Sequence, residues 1–256
     1  MVVADVSPPE ILALVGDPHR WQLLSELAAS DRRVGELTEL LGKPQNVVSY
    51  HLAALRAAGV VSARRSSADG RDVYYRADLA RCGELLAGAC GQLHPSLRFE
   101  PPSTSAAPRA RAARSPRVLF LCTGNSARSQ IAEALLVHRS GGAMEARSAG
   151  SEPKVLHPLA VQVMAERGID ISGNATKSLR RFTRMRFDRV ITLCDKVREV
   201  CPDFDGAEGT AHWSIPDPAT DADPDAIRLV ADDLEARIDL LIAELTARPA
   251  EEADRA

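Results

Sequence analysis

A cysteine and an arginine stand six positions apart in the segment Cys122-Thr-Gly-Asn-Ser-Ala-Arg128-Ser129. A strand that ends in a loop and opens a helix gathers backbone N–H groups around one point, and such a nest binds tetrahedral oxyanions. The helix dipole favours thiolate over thiol, so the sequence predicts a lowered pKa for Cys122. Arg128 adds a planar fork that can hold two oxygens of one ion. The segment therefore predicts a nucleophilic cysteine that faces phosphate or a phosphate-like ion.

The elements around this segment predict how it is positioned. The apolar run 118–121 before Cys122 is typical of a buried strand, and Ile131, Ala132 and Leu135 after it follow a helical period. From Arg117 onward, strand-like and helical patterns alternate, which predicts an α/β doubly wound domain with a parallel sheet and a ligand site at the carboxyl ends of its strands. The predicted strands are 117–121, 143–147, 189–193 and one near 211–213, and the predicted helices are 129–139, 158–167 and 224–247.

The first part of the chain predicts a mainly-α winged helix-turn-helix domain. Asp17-Pro18 has the pattern of an N-cap followed by proline at the first helical position. Helical patterns over 34–41 and 44–59 are separated by a glycine turn, as in a helix-turn-helix. Two strand-like runs then flank Asp69-Gly70, which predicts a hairpin, or wing.

A stretch rich in proline, alanine and arginine over residues 95–116 separates the two patterns and predicts a linker. The predicted domains are therefore residues 1–94, which bind DNA, and residues 117–256, which carry the cysteine segment. A chain of 256 residues is long enough for two domains with buried cores.

Composition excludes several classes of protein. The formal net charge of −3 predicts no nucleic-acid binding from overall charge, so any DNA contact must come from a local patch. The N-terminal residues lack a signal-peptide pattern, and no apolar run is long enough to span a bilayer. Five scattered cysteines are too few for a secreted disulfide scaffold. We therefore expect a cytoplasmic protein with no membrane association and with reduced thiols.

The first domain resembles the ArsR/SmtB family of winged-helix repressors, on the stretch Gln-Asn-Val-Val-Ser-Tyr-His-Leu-Ala-Ala-Leu-Arg-Ala-Ala-Gly-Val-Val at 45–61 together with the arginine-rich wing. The resemblance implies a homodimer, formed through this domain, that binds operator DNA. It implies that four residues face the major groove: Gln45, Asn46, Ser49 and His51. It implies that three lie near phosphates or the minor groove: Arg64, Arg65 and Arg71.

The inducer is left open by the sequence. Relatives of this kind bind arsenite through a Cys-x-Cys pair on the first helix of the motif, and the segment 34–41 contains no cysteine. Cys82 and Cys90 lie on the terminal helix, about 12 Å apart along its axis. They form an arsenite site only if cysteines from two subunits combine; the alternative is two small apolar residues in a dimer interface.

The second domain resembles the low-molecular-weight tyrosine phosphatase fold family in its Cys-x5-Arg-Ser loop and in Asp217-Pro218 downstream. Cys194 and Cys201, which phosphatases of this group lack, and His212-Trp213 extend the resemblance to the thioredoxin-coupled arsenate reductases. The resemblance covers residues 117–247.

This resemblance implies a role for each residue. Cys122 would attack arsenate, Arg128 would hold the oxyanion, and Asp217 would protonate the leaving oxygen. Cys194 and Cys201 would then carry the disulfide outward to thioredoxin or a similar thiol reductant, and no cofactor is expected. The loop that holds the oxyanion comprises Thr123, Gly124, Asn125, Ser126, Ala127 and Ser129. Of these, Asn125 and Ser129 are expected to brace the loop and the thiolate by hydrogen bonds.

One departure concerns potassium. Some relatives stabilise the loop with a potassium ion held by an asparagine, a glutamate, a serine and an aspartate. Asn125, Glu133 and Ser148 match three of these, but the segment 174–179 offers no aspartate. We expect Lys177 to supply the positive charge, so that no potassium is required.

The sequence favours a bifunctional protein, an ArsR-like transcriptional regulator fused to an arsenate reductase. Two alternatives stay open. The second domain is a protein tyrosine phosphatase if Cys194 and Cys201 are merely buried. It is a non-catalytic sensor of redox state or oxyanions if it binds without turnover.

Overall fold

The computed structural model describes residues 7–97, 114–201, 204, 207–218 and 223–253. The chain divides into two compact units, residues 1–103 and 104–256, which are considered separately below. Most of the predicted linker, 98–113, lies outside the described residues, so its limits stay predictions. Within the described part of the chain, no helix is both long enough and apolar enough to cross a membrane.

The first unit is mainly helical, and the residues that begin and end its helices lie where the sequence predicts. The Asp17 carboxylate accepts hydrogen bonds from the backbone N–H groups of His19 and Arg20, both at 3.0 Å, at the start of α2. Gly42 ends α3 at a φ of +60°, where glycine is favoured. The helices are α1 (Glu10–Val15), α2 (Pro18–Ala29), α3 (Val34–Leu41), α4 (Gln45–Ala57) and α5 (Leu79–Leu93).

The predicted wing is present and carries one strand more than expected. β2 (Val61–Arg65) and β3 (Val73–Ala77) form an antiparallel hairpin, and β1 (Arg32–Arg33) pairs with the other edge of β3. Leucine and valine side chains from α2, α3, α4 and β2 form one buried core beneath this sheet. The winged helix-turn-helix prediction is therefore confirmed.

The second unit is an α/β domain built on a four-stranded parallel sheet of order β5-β4-β6-β7. Its strands are β4 (Arg117–Cys122), β5 (Glu145–Gly150), β6 (Arg189–Thr192) and β7 (Thr210–His212). Its helices are α6 (Arg128–Arg139), α7 (Pro158–Glu166), α8 (Asp195–Val200) and α9 (Pro224–Ala253). The predicted strands and helices agree with these to within a few residues at most ends. Helix α9 extends six residues beyond the end of the predicted helix 224–247.

The strand order determines where a site can form. After β4 the chain crosses to β5 on one side, then returns past β4 to β6 on the other side. A ligand crevice opens at such a switch point, outside the carboxyl ends of the strands. Cys122 ends β4, and Cys194 follows β6 by two residues. The topology thus brings two distant cysteines to the same edge of the sheet.

A close backbone approach at Gly150 supports this edge. Cys122 and Gly150 are register partners at the ends of β4 and β5. A Cβ atom on Gly150 would lie 2.5 Å from the carbonyl oxygen of Thr123 and 2.9 Å from the amide nitrogen of Asn125. The loop after Cys122 therefore requires glycine at this position.

We expect Gly150→Ala to lower the free energy of unfolding of the second unit by about 1–3 kcal/mol, because the loop must move to admit the methyl group. Gly173→Ala is the matched control, since a methyl group there meets nothing within 4 Å. Urea unfolding followed by Trp213 fluorescence, in a Trp21→Phe background, measures both. Equal stability of the two variants would contradict the steric argument.

Candidate functional site

The thiol of Cys122 lies inside the protein, with 2 % of the residue exposed. Its Sγ is 2.9 Å from the hydroxyl of Ser129 and accepts the backbone N–H of Asn125 at 3.2 Å. Both contacts favour the thiolate, since a hydrogen bond donated to an anion stabilises it. The hydrogen bonds expected of Asn125 and Ser129 are thus present.

The net direction of the Cys122 pKa differs from the prediction. Burial raises the pKa of this thiol, while Arg128 and the Ser129 hydrogen bonds lower it, and burial is the larger effect. The prediction considered the helix dipole and the arginine but not the loss of hydration at a fully buried sulfur. In this structure the lowered pKa expected from the sequence is therefore wrong.

The carbonyls of the loop after Cys122 are bound by the segment after β5. The carbonyl oxygens of residues 122, 123, 124 and 126 accept backbone N–H groups from residues 151, 152, 154 and 157. The N–H group of Asn125 donates to the Cys122 sulfur. Loop N–H groups gathered around one point can bind an oxyanion.

Asn125 holds the loop in a left-handed conformation, with a φ of +46°. Its Nδ2 donates to the hydroxyls of Ser129 and Ser148 at 2.9 and 2.8 Å, and its Oδ1 accepts the backbone N–H of Lys177 at 2.7 Å. Asparagine tolerates this region better than most residues, and these bonds offset the remaining strain.

Arg128 and Asp217 meet beside the loop. The Arg128 guanidinium is buried; its Nη1 donates to the carbonyl of Ile215 at 3.1 Å, and its Nη2 lies 2.9 Å from Oδ2 of Asp217. The side chain of Asp217 is 44 % exposed. A buried, oriented guanidinium beside a partly hydrated carboxyl group provides an anion-binding group and a proton donor at one site.

Cys194 lies at the same site, with 2 % of the residue exposed. Its Sγ is 3.2 Å from the hydroxyl of Thr123, a contact that the sequence does not reveal. Cys201 is half-buried at the other end of α8, seven residues on, so roughly 10 Å separates the two along the helix. All five cysteines are among the described residues, and none forms a disulfide.

The sequence did not predict a buried polar network next to Cys194. Asp195, His212 and Ser214 are all buried; Nε2 of His212 lies 3.1 Å from Oδ1 of Asp195, and the Ser214 hydroxyl donates to the same oxygen at 2.7 Å. In the sequence, His212 stands out only as part of the His212-Trp213 motif. The signal for a polar partner is an aspartate three residues after the buried strand β6.

Lys177 occupies the position expected of it. Its Nζ lies 2.9 Å from Oε2 of Glu133, which also accepts the hydroxyl of Ser148. Ser148 in turn accepts from Asn125. The ammonium group therefore neutralises the carboxylate beneath the loop, where some relatives hold potassium.

On the first unit, α4 presents a polar exposed face. Gln45, Asn46 and Ser49 are exposed, as predicted, and Tyr50 beside them is 71 % exposed, which the sequence analysis did not single out. His51 does not face outward as expected for a residue in the major groove. Only 12 % of its side chain is exposed, and its ring stacks on His19 with centroids 5.1 Å apart. Its position in the helical period turns it toward α2 rather than outward.

The three arginines of the wing differ in their partners. Arg65 is exposed, and its Nη1 donates to the carbonyl of Gly70 at 3.0 Å. Arg71, at the tip, forms a bidentate pair with Asp69, and this pair lowers the pKa of Asp69 to about 2. Arg64 is partly exposed on β2. All three arginines stay candidates for contact with phosphate.

Two sets of side chains are candidates for metal binding. Within the described residues, Asp17, His19 and His51 are the one trio whose ligand atoms all lie within 4.8 Å of one another. The Asp17 carboxylate already accepts two backbone N–H groups as the cap of α2, so we assign the trio no metal. Cys82 and Cys90 both lie on α5 and are half-buried; burial raises the pKa of the Cys82 thiol.

The fold and these contacts define a class of protein: a winged helix-turn-helix joined to an α/β domain with a Cys-x5-Arg loop at the carboxyl end of its first strand. Residues 117–251 match the family described as low molecular weight phosphotyrosine protein phosphatase, and the chain belongs to this family. Residues 17–63 match the arsR family of bacterial regulatory proteins.

Three similar proteins carry related names. An arsenate reductase of Brevibacillus brevis is 40 % identical over 121 residues, which is 47 % of this chain and 90 % of that protein. A glutaredoxin arsenate reductase of Synechocystis sp. is 32 % identical over 130 residues, 51 % of this chain and 98 % of that one. A solved arsenate reductase in the phosphate binding state is 32 % identical, with a TM-score of 0.47, and covers 50 % of this chain and 98 % of its own.

We expect the activity of the cysteine loop to be the same in potassium and sodium chloride at equal ionic strength. In Lys177→Gln the rate should fall at least about fivefold, because Glu133 loses its cation, and potassium should restore part of it, since hard cations take oxygen ligands. Hydrolysis of p-nitrophenyl phosphate measures this, with Lys43→Gln as the control. Potassium activation of the unaltered chain would count against the assignment of Lys177.

Proposed function

We propose that the chain is a bifunctional protein, a winged-helix transcriptional regulator joined to an arsenate reductase that uses a thiol relay. The observation that carries the proposal is the convergence of Cys122 and Cys194, both buried, at the switch point of one sheet, with Cys201 at the far end of α8. The similarity to arsenate reductases supports arsenate as the substrate.

The first step uses the groups around Cys122. The Cys122 thiolate attacks arsenic, and the Arg128 guanidinium and the loop N–H groups hold the arsenate oxygens. Asp217 takes up a proton from solvent once arsenate replaces it at Arg128, and it gives that proton to the oxygen that leaves as water. The ion pair between Arg128 and Asp217 keeps both groups at the site before arsenate arrives. Arg128 keeps its orientation through Ile215, so it can exchange the carboxylate for an oxyanion without moving.

The second step transfers two electrons. Cys194 attacks the sulfur of Cys122, the sulfur–arsenic bond breaks, and its electron pair stays on arsenic, which leaves as arsenite. Cys201 then attacks Cys194, and the Cys122 thiolate is released. A disulfide between Cys194 and Cys201 remains for thioredoxin or a similar thiol reductant.

The last exchange requires α8 to unwind. Cα atoms joined by a disulfide lie 4.4–6.8 Å apart, whereas the ends of α8 are roughly 10 Å apart. α8 has six residues, and such a short helix has little intrinsic stability of its own. Its unwinding is therefore part of the proposed cycle.

The regulatory role is proposed from the first unit. The exposed polar face of α4 fits the major groove, and Arg64 and Arg65 on the wing fit phosphates. We propose operator DNA as the partner and a homodimer formed through this unit as the binding form. Cys82 and Cys90 stay a possible arsenite site only if the two subunits combine their thiols.

The second candidate is a protein tyrosine phosphatase. The family match favours it, and Cys122, Arg128 and Asp217 suffice for phosphoryl transfer through a cysteine intermediate. Phosphate transfer needs neither Cys194 nor Cys201, so the two functions differ in their dependence on these thiols.

For the relay, we expect Cys201→Ser to make about one arsenite per chain and then stop, since Cys122 and Cys194 can still form a disulfide. Cys194→Ser should release almost none. Both variants should keep hydrolysing p-nitrophenyl phosphate. Arsenite is measured over time with thioredoxin, thioredoxin reductase and NADPH, and steady turnover by Cys194→Ser would exclude the relay.

For DNA binding, we expect Asn46→Ala to weaken binding to a duplex from upstream of the protein's own gene by about 1–3 kcal/mol, with little effect on a scrambled duplex. Arg65→Gln should weaken both duplexes and reduce the salt dependence by about one unit, as the loss of one phosphate contact predicts. Fluorescence anisotropy across a salt series measures this. The same loss on both duplexes for Asn46→Ala would exclude base recognition by that residue.

A further inference from the structure

Asp195 and His212 form a buried pair that the proposed steps do not use. Asp195 is the first residue of α8 and directly follows Cys194, and His212 ends β7. Both are buried almost completely, as is Ser214. A fully buried carboxylate is rare in proteins unless it is paired. This one lies next to Cys194, which attacks in the proposed relay, so its burial requires an explanation.

The contacts of the ring identify the donor to the carboxylate. Nε2 of His212 lies 3.1 Å from the Asp195 carboxylate, and Nδ1 lies 3.1 Å from the carbonyl oxygen of Thr192. The hydroxyl of Thr192 lies 2.8 Å from the same Nδ1, so that side of the ring contacts Thr192 twice. Because a carboxylate oxygen only accepts, Nε2 of His212 is the donor to Asp195. The carboxylate therefore accepts hydrogen bonds from both His212 and Ser214.

The pair ties the start of α8 to the segment that orients the oxyanion site. The segment 212–217 begins with His212, which holds Asp195, continues through Ser214, which donates to the same carboxylate, and supplies the carbonyl of Ile215 to Arg128. It ends at Asp217, the ion-pair partner of Arg128. Cys194 is thus fixed against the groups that hold the substrate rather than against the far end of its own helix.

We propose that Asp195 and His212 are positioning residues for the relay: they hold Cys194 against Cys122 while the rest of α8 unwinds to bring Cys201 inward. The inference rests on the proposed reductase function. The hydrogen bond from His212 has a second effect, because it stabilises the negative charge of the carboxylate one residue from a sulfur that must be an anion to attack. Without His212, that carboxylate opposes the negative charge on Cys194 across a short distance in a poorly hydrated site.

The test separates the first step from the second. Hydrolysis of p-nitrophenyl phosphate reports on Cys122, Arg128 and Asp217, and a single turnover of arsenate without reductant reports on the attack by Cys194. The variants are Asp195→Asn, His212→Gln and the double variant, each as the full chain. Asp239→Asn is the matched control, because it breaks the Arg139–Asp239 pair on α6 and α9, away from the cysteines.

We expect the three variants to keep phosphate hydrolysis within about threefold of the unaltered chain. Arsenite release in a single turnover should fall at least about thirtyfold in His212→Gln, where a buried carboxylate is left uncompensated. Asp195→Asn should lose less, because it leaves no buried carboxylate beside Cys194. The double variant should release arsenite faster than His212→Gln, since its pair carries no charge.

Three results would overturn the inference: equal losses in both reactions, a double variant slower than His212→Gln, or an Asp239→Asn variant that slows arsenite release as much. If His212→Gln fails to fold, Ser214→Ala removes one hydrogen bond to the carboxylate without changing charge, and it must slow arsenite release selectively. An unaltered chain that hydrolyses p-nitrophenyl phosphate but releases no arsenite contradicts the reductase function itself, which is a different outcome.

Discussion

The second unit depends on one constraint: a sulfur that must become an anion is kept away from water. Burial of Cys122 disfavours its ionised form, and the groups that oppose this effect are fixed in place by further bonds. Ser129 is oriented by Asn125, and Asn125 by the backbone of Lys177. The loop therefore keeps its conformation through contacts with the ends of β4 and β5 and with the segment after α7. A short loop without these contacts would not hold the groups around Cys122 in place.

The topology of the sheet places a second demand on the same edge. In the proposed relay, Cys194 must be shielded from solvent together with Cys122, yet the disulfide must afterwards reach a reductant too large to enter. The short helix α8 meets both requirements, because its first residue, Asp195, is held by a buried hydrogen bond from His212, while Arg198 and Glu199 near its end are less buried. Order at one end and weak stability at the other are properties of one six-residue helix.

Local patterns predicted most of the fold, since apolar periodicity and turn residues act within a few positions. The helix-turn-helix, the wing and the parallel strands followed from them, whereas the placement of Lys177 beside Glu133 was expected from the family resemblance. The contacts that escaped prediction are long-range: Asp195 meets His212 seventeen residues later, and His51 turns toward His19 on another helix. The direction of the Cys122 pKa escaped because burial is a property of the whole domain, whereas the helix dipole can be inferred from a short segment.

The burial of Cys122 and Cys194 has a further consequence for the proposed relay. Bulky thiols and protein reductants cannot touch either sulfur in the resting protein, and Cys201 is the most accessible of the three. In the proposed relay, a disulfide within reach of such molecules arises only after a small oxyanion has entered and reacted. Such a relay consumes reducing equivalents from the thiol pool in proportion to the arsenate that the protein meets, and it consumes none in the absence of arsenate.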